Sequence, residues 1–166
     1  MDIELLRNPN KTFKLLQLTD AKFEFLIDKL LHEYLYISDE YRTYDKIKLI
    51  LQLYFTGVPS IFYEFPNFGG IIGFTNLIPN YKCDIMFKIW DRTVWNATFL
   101  RDLKRLINII MNEFNLVRMS VSIPDKKLEK LAHMCGFKTE CAQKYGFKWN
   151  GRYYPLRLLA KTRSPR

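Results

Sequence analysis

Residues 81–114 constrain this chain more than any other stretch, because they read as a strand, a short turn and a long helix in direct succession. Cys83, Ile85, Phe87 and Ile89 alternate with Lys82, Asp84, Met86 and Lys88, the period of an extended chain with one apolar face. That strand spans residues 81–90, and a turn over 91–96 follows. Phe99, Leu100, Leu103, Leu106, Ile107, Ile110, Met111 and Phe114 then recur at helical spacing, with Arg101, Asp102, Lys104, Arg105 and Asn108 on the other face. A strand that turns sharply into a helix leaves the first N–H groups of the helix unpaired. Together with the helix dipole, they can take a phosphate. An ordinary strand-to-helix connection that binds nothing has the same pattern, so the turn alone does not decide.

The rest of the chain supplies elements on either side. Residues 11–18 suit a first strand, and Thr19 and Asp20 suit the start of a helix carrying Phe23, Leu26, Ile27, Leu30 and Leu31. Ser38 and Asp39 open a second helix through Tyr41, Tyr44, Ile47, Leu51 and Tyr54, which Gly57 and Pro59 stop. Residues 60–65 and 70–77 read as strands joined by a hairpin loop. After the long helix come a buried strand at 117–123, a helix at 126–134 ended by Gly136, and a hairpin of residues 137–149 and 152–161. Asn150-Gly151 between two strand runs is a strong hairpin signal. The order is β-α-α-β-β-β-α-β-α-β-β. It predicts an α/β (α+β) domain over residues 1–163, with a mixed, mostly antiparallel sheet, helices on both faces and a frayed tail at 164–166.

Charge and cysteine content narrow the partners. Lys and Arg number 26 against 17 Asp and Glu, a net charge of +9. After Glu140 no carboxylate side chain occurs, while Lys144, Lys148, Arg152, Arg157, Lys161, Arg163 and Arg166 do. The balance favours an anionic partner, either nucleic acid or a small polyphosphate, or else serves solubility. Cys83, Cys135 and Cys141 are odd in number and form no CxxC pair, which suits free thiols and argues against a metal site. No apolar run approaches a membrane span, and the N-terminus lacks a signal pattern, so a soluble, intracellular, cytoplasmic protein without membrane contact is expected.

Four places together resemble the GCN5-related N-acetyltransferase (GNAT) family, over nearly the whole chain. The stretch GGIIGFTNLIPNYKCDIMFKIWD is similar to the family's central antiparallel strands. Arg92-Thr93-Val94-Trp95-Asn96-Ala97 matches its acetyl-CoA motif of Gln or Arg, two residues, Gly, one residue, then Gly or Ala. Arg92 and Ala97 fit, and Trp95 stands where the family has glycine. PDKKLEKLAHMCGF resembles the family's short helix ending in Gly-Phe, here Gly136-Phe137, and the closing hairpin follows.

The resemblance implies acetyl-CoA in a cleft where the strands at 81–90 and 117–123 splay apart. Phe87, Lys88, Ile89 and Trp90 would line the pantetheine arm. The pyrophosphate would sit on the N–H groups of Arg92, Thr93, Val94, Trp95, Asn96 and Ala97. The implied activity is acetyl transfer to a primary amine of unknown identity. Glu64 and Asp84 are candidate bases, and each is equally readable as a solvated carboxylate. The family often places a tyrosine acid on the short helix. Aligning Cys135-Gly136-Phe137 puts Ala132 there, and His133 is the adjacent substitute, or else a surface residue. The alternative is a catalytically degenerate module of the same fold. It would serve in a larger assembly or touch nucleic acid through the basic C-terminal half, where Lys and Arg interleave with Tyr145, Tyr153 and Tyr154.

Overall fold

Alternation along the strands sorts the apolar side chains onto two faces of one sheet, and each face has its own core. The computed structural model describes residues 3–33 and 37–164. Among the described residues there are seven strands: β1 (Lys14–Leu15), β2 (Ile61–Glu64), β3 (Gly70–Ile78), β4 (Lys82–Ile89), β5 (Arg118–Ile123), β6 (Lys138–Trp149) and β7 (Arg152–Thr162). Their spatial order is β1-β2-β3-β4-β5-β7-β6, and every pairing is antiparallel except β4 with β5. The helices are α1 (Ile3–Arg7), α2 (Asp20–His32), α3 (Tyr44–Gln52), α4 (Ala97–Glu113) and α5 (Lys126–Met134).

Ile72, Phe74, Cys83 and Ile89 face α1, α4 and α5, in a core with Leu6, Phe99, Leu103, Leu106 and Leu131. The opposite face, with Ile71, Met86 and Trp90, packs against Leu26, Ile27, Leu30, Ile47 and Leu51 of α2 and α3. Gly73 lies on that second face, where a Cβ would come within 2.3 Å of the Phe62 ring, so the strand needs glycine there for space.

The α/β fold with helices on both faces stands, and the differences are local. The strand expected over 11–18 pairs only at Lys14 and Leu15, because β1 is an edge strand. The helix α1 precedes it; its docking rests on the distant Tyr63 hydroxyl, which donates to Leu6 O at 2.8 Å. The helix expected from Ser38 is broken into a 3-10 turn, Asp39–Tyr41, and α3, which Thr43 precedes. Asp39 is drawn away from helix capping. Its carboxylate accepts the N–H groups of Gly151 at 2.8 Å and Asn150 at 3.0 Å and pairs with Arg42 at 3.0 Å. The β6–β7 hairpin tip is thereby fastened to the 3-10 turn. Asn150 and Gly151 have φ of 48° and 73°, the paired positive values that a two-residue hairpin turn requires. Pro165 and Arg166, in the expected frayed tail, lie outside the described residues, as do Met1 and Asp2 of the expected domain. No helix among the described residues is long and apolar enough to cross a membrane.

The clasp at Asp39 gives a pH expectation. The Gly151 N–H bond, then those of Asn150 and Arg42, hold the Asp39 carboxyl below the usual carboxylate range. A depressed folded pKa stabilises the clasp at neutral pH, and that contribution is lost as pH falls through the depressed value. The Gly151 amide resonance should therefore titrate with a midpoint below the ordinary aspartate range, and Asp39→Asn should abolish the titration. A midpoint at or above that range would contradict the clasp.

Candidate active site

The parallel pair β4–β5 is joined at only three positions: Lys82 with Arg118, Cys83 with Met119 and Asp84 with Ser120. Beyond Asp84 the two strands part. β4 stays registered on β3 as far as Ile89 with Gly70, and β5 stays registered on β7 as far as Ile123 with Arg157. Ladder bonds alternate along an antiparallel pair. The Trp90 N–H donates to Gly69 O at 3.1 Å, and the Phe65 N–H to Gly70 O at 3.0 Å. The alternation therefore points the backbone groups of Asp84, Met86 and Lys88 at β3. The Ile85 N–H still bonds β5, as the Asp84–Ser120 pairing requires, while the Ile85 carbonyl and the backbone groups of Phe87 and Ile89 point into the gap.

A cavity of about 650 Å³ fills the gap and passes from one face of the sheet to the other. On the α4–α5 side it is walled by Leu103, Ile107, Leu128, Leu131, Ala132 and Cys135. On the α2–α3 side it is walled by Ile37, Tyr41, Tyr54, Thr75, Asp84 and Lys88. Lys88 is half-buried there, and burial pulls its ammonium down to about 8. Burial raises the Cys135 thiol to about 11, so it stays protonated at neutral pH.

A second cavity of about 350 Å³ opens beyond the carboxyl ends of β4 and β5, lined by Arg92, Lys126, Lys127, Tyr154 and Arg157 among others. In sheets of this kind the crevice outside the carboxyl ends of parallel strands is where ligands sit. Arg157 Nε pairs with Glu129 Oε2 at 3.1 Å, and its Nη1 is buried with no hydrogen-bond partner among the described residues. Four cationic side chains and an unsatisfied guanidinium nitrogen suit the phosphates of a nucleotide.

The turn between β4 and α4 is ordered by its own side chains. Asp91 Oδ1 accepts the Thr93 N–H at 2.9 Å and the Thr93 hydroxyl at 2.7 Å, and Asn96 Oδ1 accepts the Phe99 N–H at 2.9 Å. Arg92, Thr93 and Val94 form a 3-10 turn, and Trp95 closes it by donating to Arg92 O at 3.2 Å. Trp95 has φ of −82°, so the backbone makes no demand for glycine. Its indole is half-buried and folds inward against the α4 core. Asn96 leaves the first helical N–H groups, of Ala97 and Thr98, at the exposed end of α4.

The structure brings some of the candidate residues together and separates others. Phe87 and Ile89 turn their backbones into the gap. Lys88 reaches the cavity by its side chain instead. Trp90 is half-buried against the α2–α3 core: its indole N–H donates to Phe68 O at 2.6 Å, and its ring meets Phe25 and Phe68. Asp84 lines the cavity and accepts from Asn76 Nδ2 at 2.8 Å. Glu64 is outside the cavity, in an ion pair with Lys22. His133 is also outside it, with Nδ1 3.0 Å from Phe137 O and Nε2 3.4 Å from Thr139 Oγ1. Ile85 was missed, although the same two-residue period that selects Phe87 and Ile89 includes it. Among the described residues no group of three or more His, Cys, Asp or Glu side chains could hold a metal.

No protein-family model matches the chain, and no curated protein matches it by sequence. Solved structures do match. The spermidine N-acetyltransferase of Vibrio cholerae, in complex with CoA and spermine, is 17% identical with a TM-score of 0.68, covering 94% of this chain and 98% of that one. An acetyl transfer enzyme of Salmonella typhimurium that modifies the N-terminal serine of ribosomal protein L7/L12 is 15% identical with a TM-score of 0.66, covering 95% and 99%. A ribosomal L7/L12 α-N-protein acetyltransferase in complex with coenzyme A is 16% identical with a TM-score of 0.67, covering 94% and 97%. The chain has the GNAT fold.

The inward indole carries a stability cost if removed. Trp95→Gly should lower the unfolding free energy by about 1–3 kcal/mol, less than the loss of a fully buried ring. Urea unfolding measures this, and an unchanged midpoint would mean that the indole is not part of the core.

Proposed function

We infer that this chain is an acetyl-CoA-dependent N-acetyltransferase acting on a primary amine. The observation that carries this reading is the gap in the sheet. The Ile85 carbonyl and the donors and acceptors of Phe87 and Ile89 line its edge, as a sheet edge offers them to an added strand. The pantetheine arm has the length and the alternating amide groups to take them. Phosphates would be held by Arg92, Lys126, Lys127 and Arg157, with the N–H groups of Ala97 and Thr98 at the α4 terminus. The solved structures in complex with CoA share this fold, which supports the same cofactor here.

Acetyl-CoA supplies an activated acetyl group when bound. The chain's own residues place and deprotonate the amine. Asp84 sits at the narrow end of the gap, where β4 and β5 are still paired, and its carboxylate would hold the incoming ammonium and receive its proton. The apolar wall of α4 and α5 excludes water from the acetyl side. Ala132 supplies no proton to the departing thiolate, and the thiolate is stable enough to leave without one, at a lower rate.

That same Ala132, with Trp95 in place of glycine, favours a second reading: a degenerate module that keeps the fold for assembly or nucleic-acid contact. Its surface would be the β6–β7 hairpin, where Lys144 stands over the Tyr145 ring and Lys148 over Tyr153, both rings exposed. Calorimetric titration separates the two. The first reading expects CoA to bind in the micromolar range, on the order of −8 kcal/mol. It also expects Asp84→Asn to cut kcat/KM by about 10²- to 10⁴-fold with little change in CoA affinity. A flat titration at millimolar CoA would favour the module.

A further inference from the structure

The α2–α3 side of the main cavity, where an acceptor would enter, has an unusual charge arrangement. Among the described residues, Asp84 and Lys88 are the charged side chains that line the cavity. They lie four residues apart on one strand and on the same face, about 13 Å between their Cα atoms at the rise of an extended chain. Asp84 is at the narrow end beside Ser120, and Lys88 lies where the two strands have parted. The wall around them is neutral, with Tyr41, Tyr54, Thr75, Ser120 and Ser122 contributing hydroxyls.

Resting on the acetyltransferase reading, we propose that the acceptor is an amine carrying its own anionic group, a carboxylate or phosphate, with Asp84 facing the amine and Lys88 receiving the anion. A half-buried ammonium on the cavity wall can give an entering anion charge-assisted hydrogen bonds, which are stronger than bonds between neutral groups. The lowered pKa of Lys88 is consistent with that burial and still leaves it mainly charged at neutral pH. The same cation repels a second ammonium on the acceptor. A polyamine, whose cationic groups are spaced along one chain, cannot place one nitrogen at Asp84 without bringing another near Lys88. An ω-amino carboxylate meets opposite charges at both ends.

The test uses matched acceptors: ω-amino carboxylates, alkylamines and α,ω-diamines of equal chain length, with phosphoethanolamine against ethanolamine as the phosphate arm. Thiol release from acetyl-CoA gives kcat and KM for each. Binding of each acceptor to CoA-loaded protein is measured by calorimetry in parallel. The full chain should favour an anionic amine over the matched alkylamine by about 10- to 100-fold in kcat/KM, chiefly through KM. Lys88→Met should erase that preference, and Lys88→Glu should turn it toward the diamine, while circular dichroism shows both variants folded. If CoA binds but the diamine is preferred, or the anionic amine is neither acetylated nor bound more tightly than its neutral partner, the acceptor proposal fails alone. If CoA does not bind the parent protein, the acetyltransferase reading fails and the proposal falls with it.

Discussion

The gap in this sheet depends on a parallel pairing that stops early. β4 and β5 share three registered pairs and then separate. The cause lies in their outer partners: β3 holds β4 along its length, and β7 holds β5 through all six of its residues. Two stiff antiparallel ladders thus meet at one end and diverge at the other. A buried backbone edge without partners is costly, so such a gap persists where something can occupy it. Here the gap is a cavity with an apolar wall on one side and a polar wall on the other.

The two faces of the sheet divide the labour. The α4 face is a continuous aromatic and aliphatic core, in which Phe65, Phe87 and Phe99 meet edge to face or tilted. This core fixes β4 and the turn that follows it. The α2–α3 face has a smaller core, and beside it the cavity reaches Tyr41 and Ile37, next to the turn that Asp39 ties to the hairpin tip. The α4 side of the gap is therefore built on packing, and the α2–α3 side on polar contacts between distant segments.

Much of this was legible from local pattern. The period of two over β4, the helical period of α4, Gly136 at φ of 91° ending α5, and Asn150-Gly151 at the hairpin are short-range signals with short-range causes. The site was legible only in part. Asp84 and Phe87 lie where the alternation puts them. Glu64 looked available because its partner, Lys22, is 42 residues away. His133 looked like a substitute acid, and contacts with Phe137 and Thr139 turn it aside. The family resemblance placed Lys88 along the pantetheine arm, while the alternation alone shows it as one polar residue of a strand. Its exposure to the cavity depends on where β5 stops pairing, which no local pattern encodes.

The most direct measurement is amide hydrogen exchange along β4, with and without CoA. If the pantetheine arm takes the free edge of the gap, the amides of Phe87 and Ile89 should become protected on addition of CoA. Those of Met86 and Lys88, already bonded to β3, should change little. A two-residue alternation of that kind would establish the edge as the binding surface. Uniform protection along β4, or none while CoA binds elsewhere, would contradict it.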